Sequence, residues 1–219
     1  MIMIKKLLDS INEKYALKQL DVGDMAVLKA NGMTFSIQAY HAEGLGHVSV
    51  MCAKGFFGLM KMDTLIVNPY YVDLPLYSYD RILAAGNDTL IVELYDTLAG
   101  TYSEDYLQGV KAGYEDLAER DPGEHWYDNI KLASSISKKG KKAQRSRFDE
   151  LALKHFETYL SIGVPTLDVN TKQQKAAYYV NGLLEKGGPS TDVFKKALGI
   201  EATTKLFEDV LFGTSQVQK

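Results

Sequence analysis

The chain has 219 residues, 46% of them hydrophobic and 24% charged, which supplies a sizeable core and argues against disorder. Its formal net charge of -3 offers no concentrated basic face for general nucleic-acid binding. The single cysteine, Cys52, cannot form an internal disulfide and fits a reducing compartment.

The first residues are apolar but soon carry Lys5, Lys6 and Asp9, a pattern unlike a signal peptide. No stretch approaches the ~18 apolar residues of a membrane span. A soluble, cytoplasmic protein forming one domain over residues 1–219 is therefore expected. Apolar residues at Ile4, Leu7, Leu8, Ile11 and Tyr15 are spaced for a short amphipathic helix.

From about residue 25 to 98, short runs rich in β-branched and aromatic residues alternate with turn signals. Strands are predicted over 26–30, 34–40, 47–53, 59–67, 76–84 and 89–95. Asn31-Gly32 reads as a type I′ hairpin turn, because both central residues of that turn need positive φ. Gly86-Asn87-Asp88 marks another turn. No helical pattern separates the strands, so an antiparallel meander is expected, not a doubly wound parallel sheet. Cys52 lies in one of the apolar runs and reads as a small buried hydrophobe.

Beyond Gly100 the periodicity becomes helical, over 103–117, 148–162, 172–186, 191–198 and 201–211. Asp121-Pro122-Gly123 and Gly187-Gly188-Pro189 break the pattern. Ser190 reads as an N-cap and Gly199 as a C-cap. Residues 137–147 form a basic stretch, read by default as a solvated loop. Helices on both sides of the sheet in sequence predict a three-layer α/β/α sandwich with a central antiparallel β-sheet. The histidines His41, His47, His125 and His155 lack metal-ligand spacing, so no metal is expected. His41-Ala42-Glu43 lacks the Cys-x-x-Cys of a deaminase. There is no phosphate loop and no serine nucleophile elbow.

Two stretches carry a family resemblance. Residues 65–95 read as a strand, a proline-containing break, the turn Asp73-Leu74-Pro75-Leu76-Tyr77-Ser78-Tyr79-Asp80 into the next strand, and a third strand after a glycine turn. Residues 173–212 place Gln174 and Tyr178 on one helix, then Phe194-Lys195-Lys196-Ala197-Leu198-Gly199, then Phe207 and Val210-Leu211-Phe212. In this order the chain resembles the ferredoxin-dependent bilin reductases, whose fold red chlorophyll catabolite reductase shares.

The resemblance implies a bilin such as biliverdin held between the sheet and the C-terminal helices. It also implies a monomer with no bound cofactor or metal, and single electrons from reduced ferredoxin or flavodoxin. The protein's task there is proton supply. Asp80 matches the family's central aspartate. A carboxyl group beneath a flat apolar macrocycle loses hydration, which favours its protonated form. Asp63 falls where many members place a histidine, and a second carboxyl beside the first would couple the two titrations; a solvent-facing strand residue is the plainer reading.

Arg145, Arg147 and Lys138 of the basic stretch, or Arg81 beside Asp80, would pair with the bilin propionates. The basic stretch would alternatively attract an acidic electron donor. Tyr77 and Tyr79, with Tyr70 and Tyr71, flank the expected pocket. Two acidic positions of the family pattern fall on Met51 and Gly188, with His47 as a stand-in for the first if the register differs. Two functions follow as expectations: a ferredoxin-dependent bilin reductase, or a bilin-binding protein of the same fold without turnover. A protein that kept only the fold is the third reading.

Overall fold

The computed structural model describes residues 2–188 and 190–217. Pro189, part of the expected break, lies outside the described residues. The amphipathic start folds as α1 (Ile2–Lys14), which buries Met3, Ile4, Leu7 and Ile11.

Eight strands follow: β1 (Leu17–Leu20), β2 (Val27–Ala30), β3 (Met33–Ala42), β4 (Gly46–Gly55), β5 (Met60–Asn68), β6 (Leu76–Ala84), β7 (Asn87–Tyr95) and β8 (Ile136–Lys141). They form one antiparallel sheet in the order β1-β3-β4-β5-β6-β7-β8. β2 shares the outer edge of β3 with β1, pairing with its first half. The six expected strands are all present. Asn31 and Gly32 sit at φ of 49° and 73°, the left-handed pair that a type I′ turn needs. The next glycine turn falls on Ala85-Gly86, with Asn87 and Asp88 already paired in β7.

β1 was not expected, because four residues are too few for an alternation to stand out. β8 corrects the reading of residues 137–147 as a loop. Ile136 and Lys138 of β8 turn inward while Lys139 turns outward, so lysines occupy a genuine strand. The buried Lys138 ammonium donates to the Leu117 carbonyl at 2.8 Å and pairs with Glu119 at 2.8 Å.

The helices are α2 (Asp105–Ala112), α3 (Arg145–Ser161), α4 (Val169–Lys186), α5 (Thr191–Leu198) and α6 (Ile200–Lys205). α6 runs on as a π-helical turn over Leu206–Leu211. The helix expected over 103–117 stops at Gly113, whose N–H bonds back to the Val110 carbonyl, and the chain continues in tight turns that still bury Tyr114 and Leu117. Ser190 makes no side-chain cap bond. Gly199, at φ of 82°, ends α5 and opens α6.

Strand alternation splits the sheet into two packed faces. One carries Val50, Leu65, Tyr77, Tyr79, Leu90 and Val92 and is covered by α1, α2 and α3. Its centre is aromatic, with Tyr77 4.6 Å from Tyr159 and 5.1 Å from Phe156. The other face carries Phe35, Ile37, Met51, Ile66 and Tyr95 and is covered by α4, α5 and the π-helical turn. The architecture is the α/β/α sandwich.

Polar groups of the sheet hold the C-terminal segment on this second face. His47 Nε2 donates to the Val210 carbonyl at 2.8 Å, Ser49 to Leu211 at 2.7 Å, and Asn68 and Tyr70 to Phe212, each at 2.9 Å. These are the carbonyls a helix end leaves without intrahelical partners.

Candidate functional site

Antiparallel register places Met51, Thr64, Asp80 and Ile91 side by side on four neighbouring strands. That row forms the floor of a cavity of about 310 Å³ under the C-terminal helices. Tyr179 and Leu183 of α4, Phe194 of α5, and Phe207 and Phe212 form its roof. The connection from α2 to β8 closes one side with Arg120, Pro122, His125 and Tyr127. A concave, mostly apolar chamber with a few polar groups is the form of a small-molecule site.

Asp80 is the ionisable group at the centre of the floor. Burial raises its pKa to about 6, and the nearby Glu93 charge pushes the same way. A hydrogen bond from the Thr64 hydroxyl to Oδ1 works against both. The balance leaves a carboxyl that can hold or release a proton near neutrality.

Glu93 faces Ser78 across the β6–β7 pair, so it lies one step along from Asp80 on the same face. Tyr95 donates its hydroxyl to Glu93 Oε2 at 2.6 Å. The Tyr95 ring stacks on Tyr179 at 4.0 Å and meets Tyr127 edge-on at 5.5 Å. Burial holds all three phenols above their ordinary range, so they stay neutral donors. Arg120 donates to the Ser137 hydroxyl at 3.3 Å, and His125 stacks on Tyr127 at 4.9 Å.

The structure brings two of the expected site residues, Asp80 and Met51, to this cavity. His47 shares the face, but its Nε2 is taken by the Val210 carbonyl, and burial lowers its pKa to about 4, so the ring stays neutral. It docks the C-terminal segment and does not stand in for the family's acid.

The remaining expectations are corrected, and for those on strands the reason is the two-residue period of a strand. Asp63, Arg81 and Lys138 share one register row on the opposite face, with Cys52 beside Asp63 in the same row. The residue across from Asp80 is Thr64, not Asp63. Asp63 lies against Cys52, whose thiol is pushed up to about 12 by burial first and then by Asp63.

Arg81 is buried against Asp88, with a bond of 2.9 Å from Nη2, and its guanidinium lies 5.0 Å from the Phe148 ring. Arg145 pairs with the same Asp88 at 3.3 Å. Arg147 pairs with Asp116 and Glu150 and stacks on Tyr114. Tyr77 and Tyr79 are core residues of the α1–α3 side. None of these cations or rings lines the cavity.

Met51 and Gly188 both line the cavity and bring no carboxylate. Glu93 supplies the second acid from a different strand. Glu93, Thr64, Arg120 and His125 escaped sequence reasoning. The signal for Glu93 was present, since Ile91, Glu93 and Tyr95 alternate onto one face of β7. Arg120 and His125 lie on an irregular connection, where no periodicity points inward. Among the described residues, no three His, Cys, Asp or Glu side chains cluster closely enough to hold a metal ion. No helix among them is long and apolar enough to cross a membrane.

No protein-family model matches the chain, and no curated protein matches it in sequence. Among solved structures, phytochromobilin synthase from tomato in complex with biliverdin superposes with a TM-score of 0.76. The match covers 100% of this chain and 84% of that one, at 12% identity. At that identity the likeness shows a shared fold.

Proposed function

We propose that the cavity binds a linear tetrapyrrole of the biliverdin type and that the protein reduces it with single electrons from ferredoxin or flavodoxin. The observation that carries this reading is Asp80, a carboxyl group with a pKa near 6 on the floor of an aromatic-walled chamber. The shared fold with a protein whose solved structure holds biliverdin supports it.

Saturating one double bond of a bilin takes two electrons and two protons. The electrons come from the external donor, and the chain's own contribution is to hold the ligand and place protons. Asp80 in its protonated form donates to the bilin, and the Thr64 hydrogen bond then stabilises the carboxylate left behind. Glu93, which shares the cavity wall, adds its charge to the effect of burial in raising the Asp80 pKa, which favours the protonated donor form. Tyr95 and Tyr179 give a flat wall for the macrocycle. Arg120 and His125 are the groups suited to the propionates, in place of Arg81, Arg145, Arg147 and Lys138.

A second reading, binding without turnover, is favoured by one observation: Met51 and Gly188 leave the cavity without the acids that the family pattern places there. One experiment separates the two. The protein is incubated anaerobically with biliverdin, ferredoxin and a reducing system, and bilin absorbance is followed. Reduction predicts a donor-dependent loss of the biliverdin band. Asp80→Asn should slow it by about 10²–10⁴-fold while the bound spectrum persists. A ligand-shifted spectrum that no donor changes supports the binder. An unchanged rate in Asp80→Asn contradicts the role of Asp80.

A further inference from the structure

The β4–β5 hairpin ends in Phe56-Phe57-Gly58-Leu59. Phe56, Phe57 and Leu59 are exposed, Phe57 fully so. Phe56 and Phe57 sit at φ of 51° and 55°, followed by Gly58 at 85°. The left-handed region is unfavourable for bulky side chains, and here no burial within the protein offsets it. The turn therefore holds apolar side chains outward against both backbone preference and hydration.

Beneath the tip lies a row of lysines. Lys29 pairs with Thr34, Thr34 with Lys54, and Lys54 with Lys61, so three lysines share one register row on one face. With strands roughly 4.8 Å apart, the row spans about 15 Å. All three are exposed, and none has an acidic partner among the described residues. This cationic row stands out on a chain whose formal net charge is -3.

We propose that this tip docks the protein on an anionic phospholipid surface. Phe57 and Leu59 enter the boundary between headgroups and acyl chains, and Lys29, Lys54 and Lys61 lie against the phosphates. The form of the feature selects a bilayer over a protein partner. A stable protein contact covers roughly 800 Å² per partner and has a polar rim. A four-residue finger offers neither. Isolated apolar anchors backed by lysines are what the bilayer interface accepts. The same hairpin continues into Met60 and Met62, which line the cavity, so docking sets the cavity wall close to the lipid. The docking does not depend on what the cavity binds.

The test is co-sedimentation of the full chain with two kinds of vesicle: phosphatidylcholine alone, and phosphatidylcholine mixed with phosphatidylserine. The protein is expected to pellet with the mixed vesicles and to be released by salt. Phe57→Ser with Leu59→Ser should weaken partitioning about tenfold or more. Lys54→Gln with Lys61→Gln should weaken it by about tenfold and remove the preference for phosphatidylserine. Melting temperatures of both variants should match the parent, since neither pair is buried. Three results overturn the proposal. The parent fails to pellet with mixed vesicles at low salt; or only the lysine variant loses binding, which is plain surface adhesion; or the tip instead drives concentration-dependent self-association without lipid.

Discussion

Asp80 is ionised at neutral pH only against its surroundings. Its folded pKa, raised from 3.8 to about 6, means that the folded chain binds a proton more tightly than the unfolded chain does. Its contribution to stability is complete below pH 3.8 and is lost as the pH rises through 6. A shift of this size corresponds to about 3 kcal/mol, which the partial exposure of Asp80 reduces to about 1–2 kcal/mol. Asp80→Asn should therefore stabilise the protein by about 1–2 kcal/mol at pH 7.5 and by much less at pH 4.5, read by urea unfolding at both. An equal effect at both pH values would mean that the charge is not the source. Asp80 was legible in the sequence because a motif surrounds it. Its partners were not, because a linear motif runs through both faces of a strand. Asp80 and Arg81 are adjacent in sequence and lie on opposite sides of the sheet.

Elements were easier to read where a pattern had length. The strands from β3 to β7 each run nine or ten residues, long enough for their β-branched and aromatic runs to stand out between turn signals. β1 has four residues, and β8 looked like a loop because its inward positions include a lysine. Lys138 reaches a carbonyl and a carboxylate across the fold, a partnership that no local pattern announces.

α4 shows a related conflict. A glycine inside a helix costs about 1 kcal/mol relative to alanine. Gly182 is kept there because a β-carbon would stand 2.1 Å from the Trp126 ring. The indole lies over that gap and donates to the Gly187 carbonyl at 3.0 Å. Gly182→Ala should thus destabilise the protein by about 1–3 kcal/mol in spite of better helix propensity, measured by thermal or urea unfolding. A gain in stability would show that the indole yields freely.

At the scale of the whole molecule, the two sides of the sheet do different work. The α1–α3 side has Tyr77, Tyr159, Phe148 and Phe156 fully buried at its centre and the cations Arg81 and Lys138 held by acids, with a groove along Ser36, Gln38, Val50 and Cys52 towards its β1–β4 edge. The C-terminal side carries its helices over a gap, and polar groups of the sheet pin their far end. The buried cations Arg81 and Lys138 are paired on the α1–α3 side, while the cavity keeps Asp80, Glu93, Arg120 and His125 around an apolar space, with Glu93 also 3.9 Å from Lys131. The sandwich was foreseeable from element order. The cavity under the C-terminal helices was not, because it depends on how Phe194, Phe207 and Phe212 pack over the strands.

Trp126, the one tryptophan of the chain, meets the cavity-lining Tyr127 ring edge-on at 5.3 Å and so reports on the cavity. Titration with biliverdin should quench its fluorescence saturably. Ser78→Phe, which puts a ring into the cavity floor, should weaken that response at least tenfold. Tyr79→Phe, one residue away on the α1–α3 side, should leave it unchanged. Quenching that rises linearly without saturation, or that responds to Tyr79→Phe and ignores Ser78→Phe, would contradict a tetrapyrrole site between the sheet and the C-terminal helices.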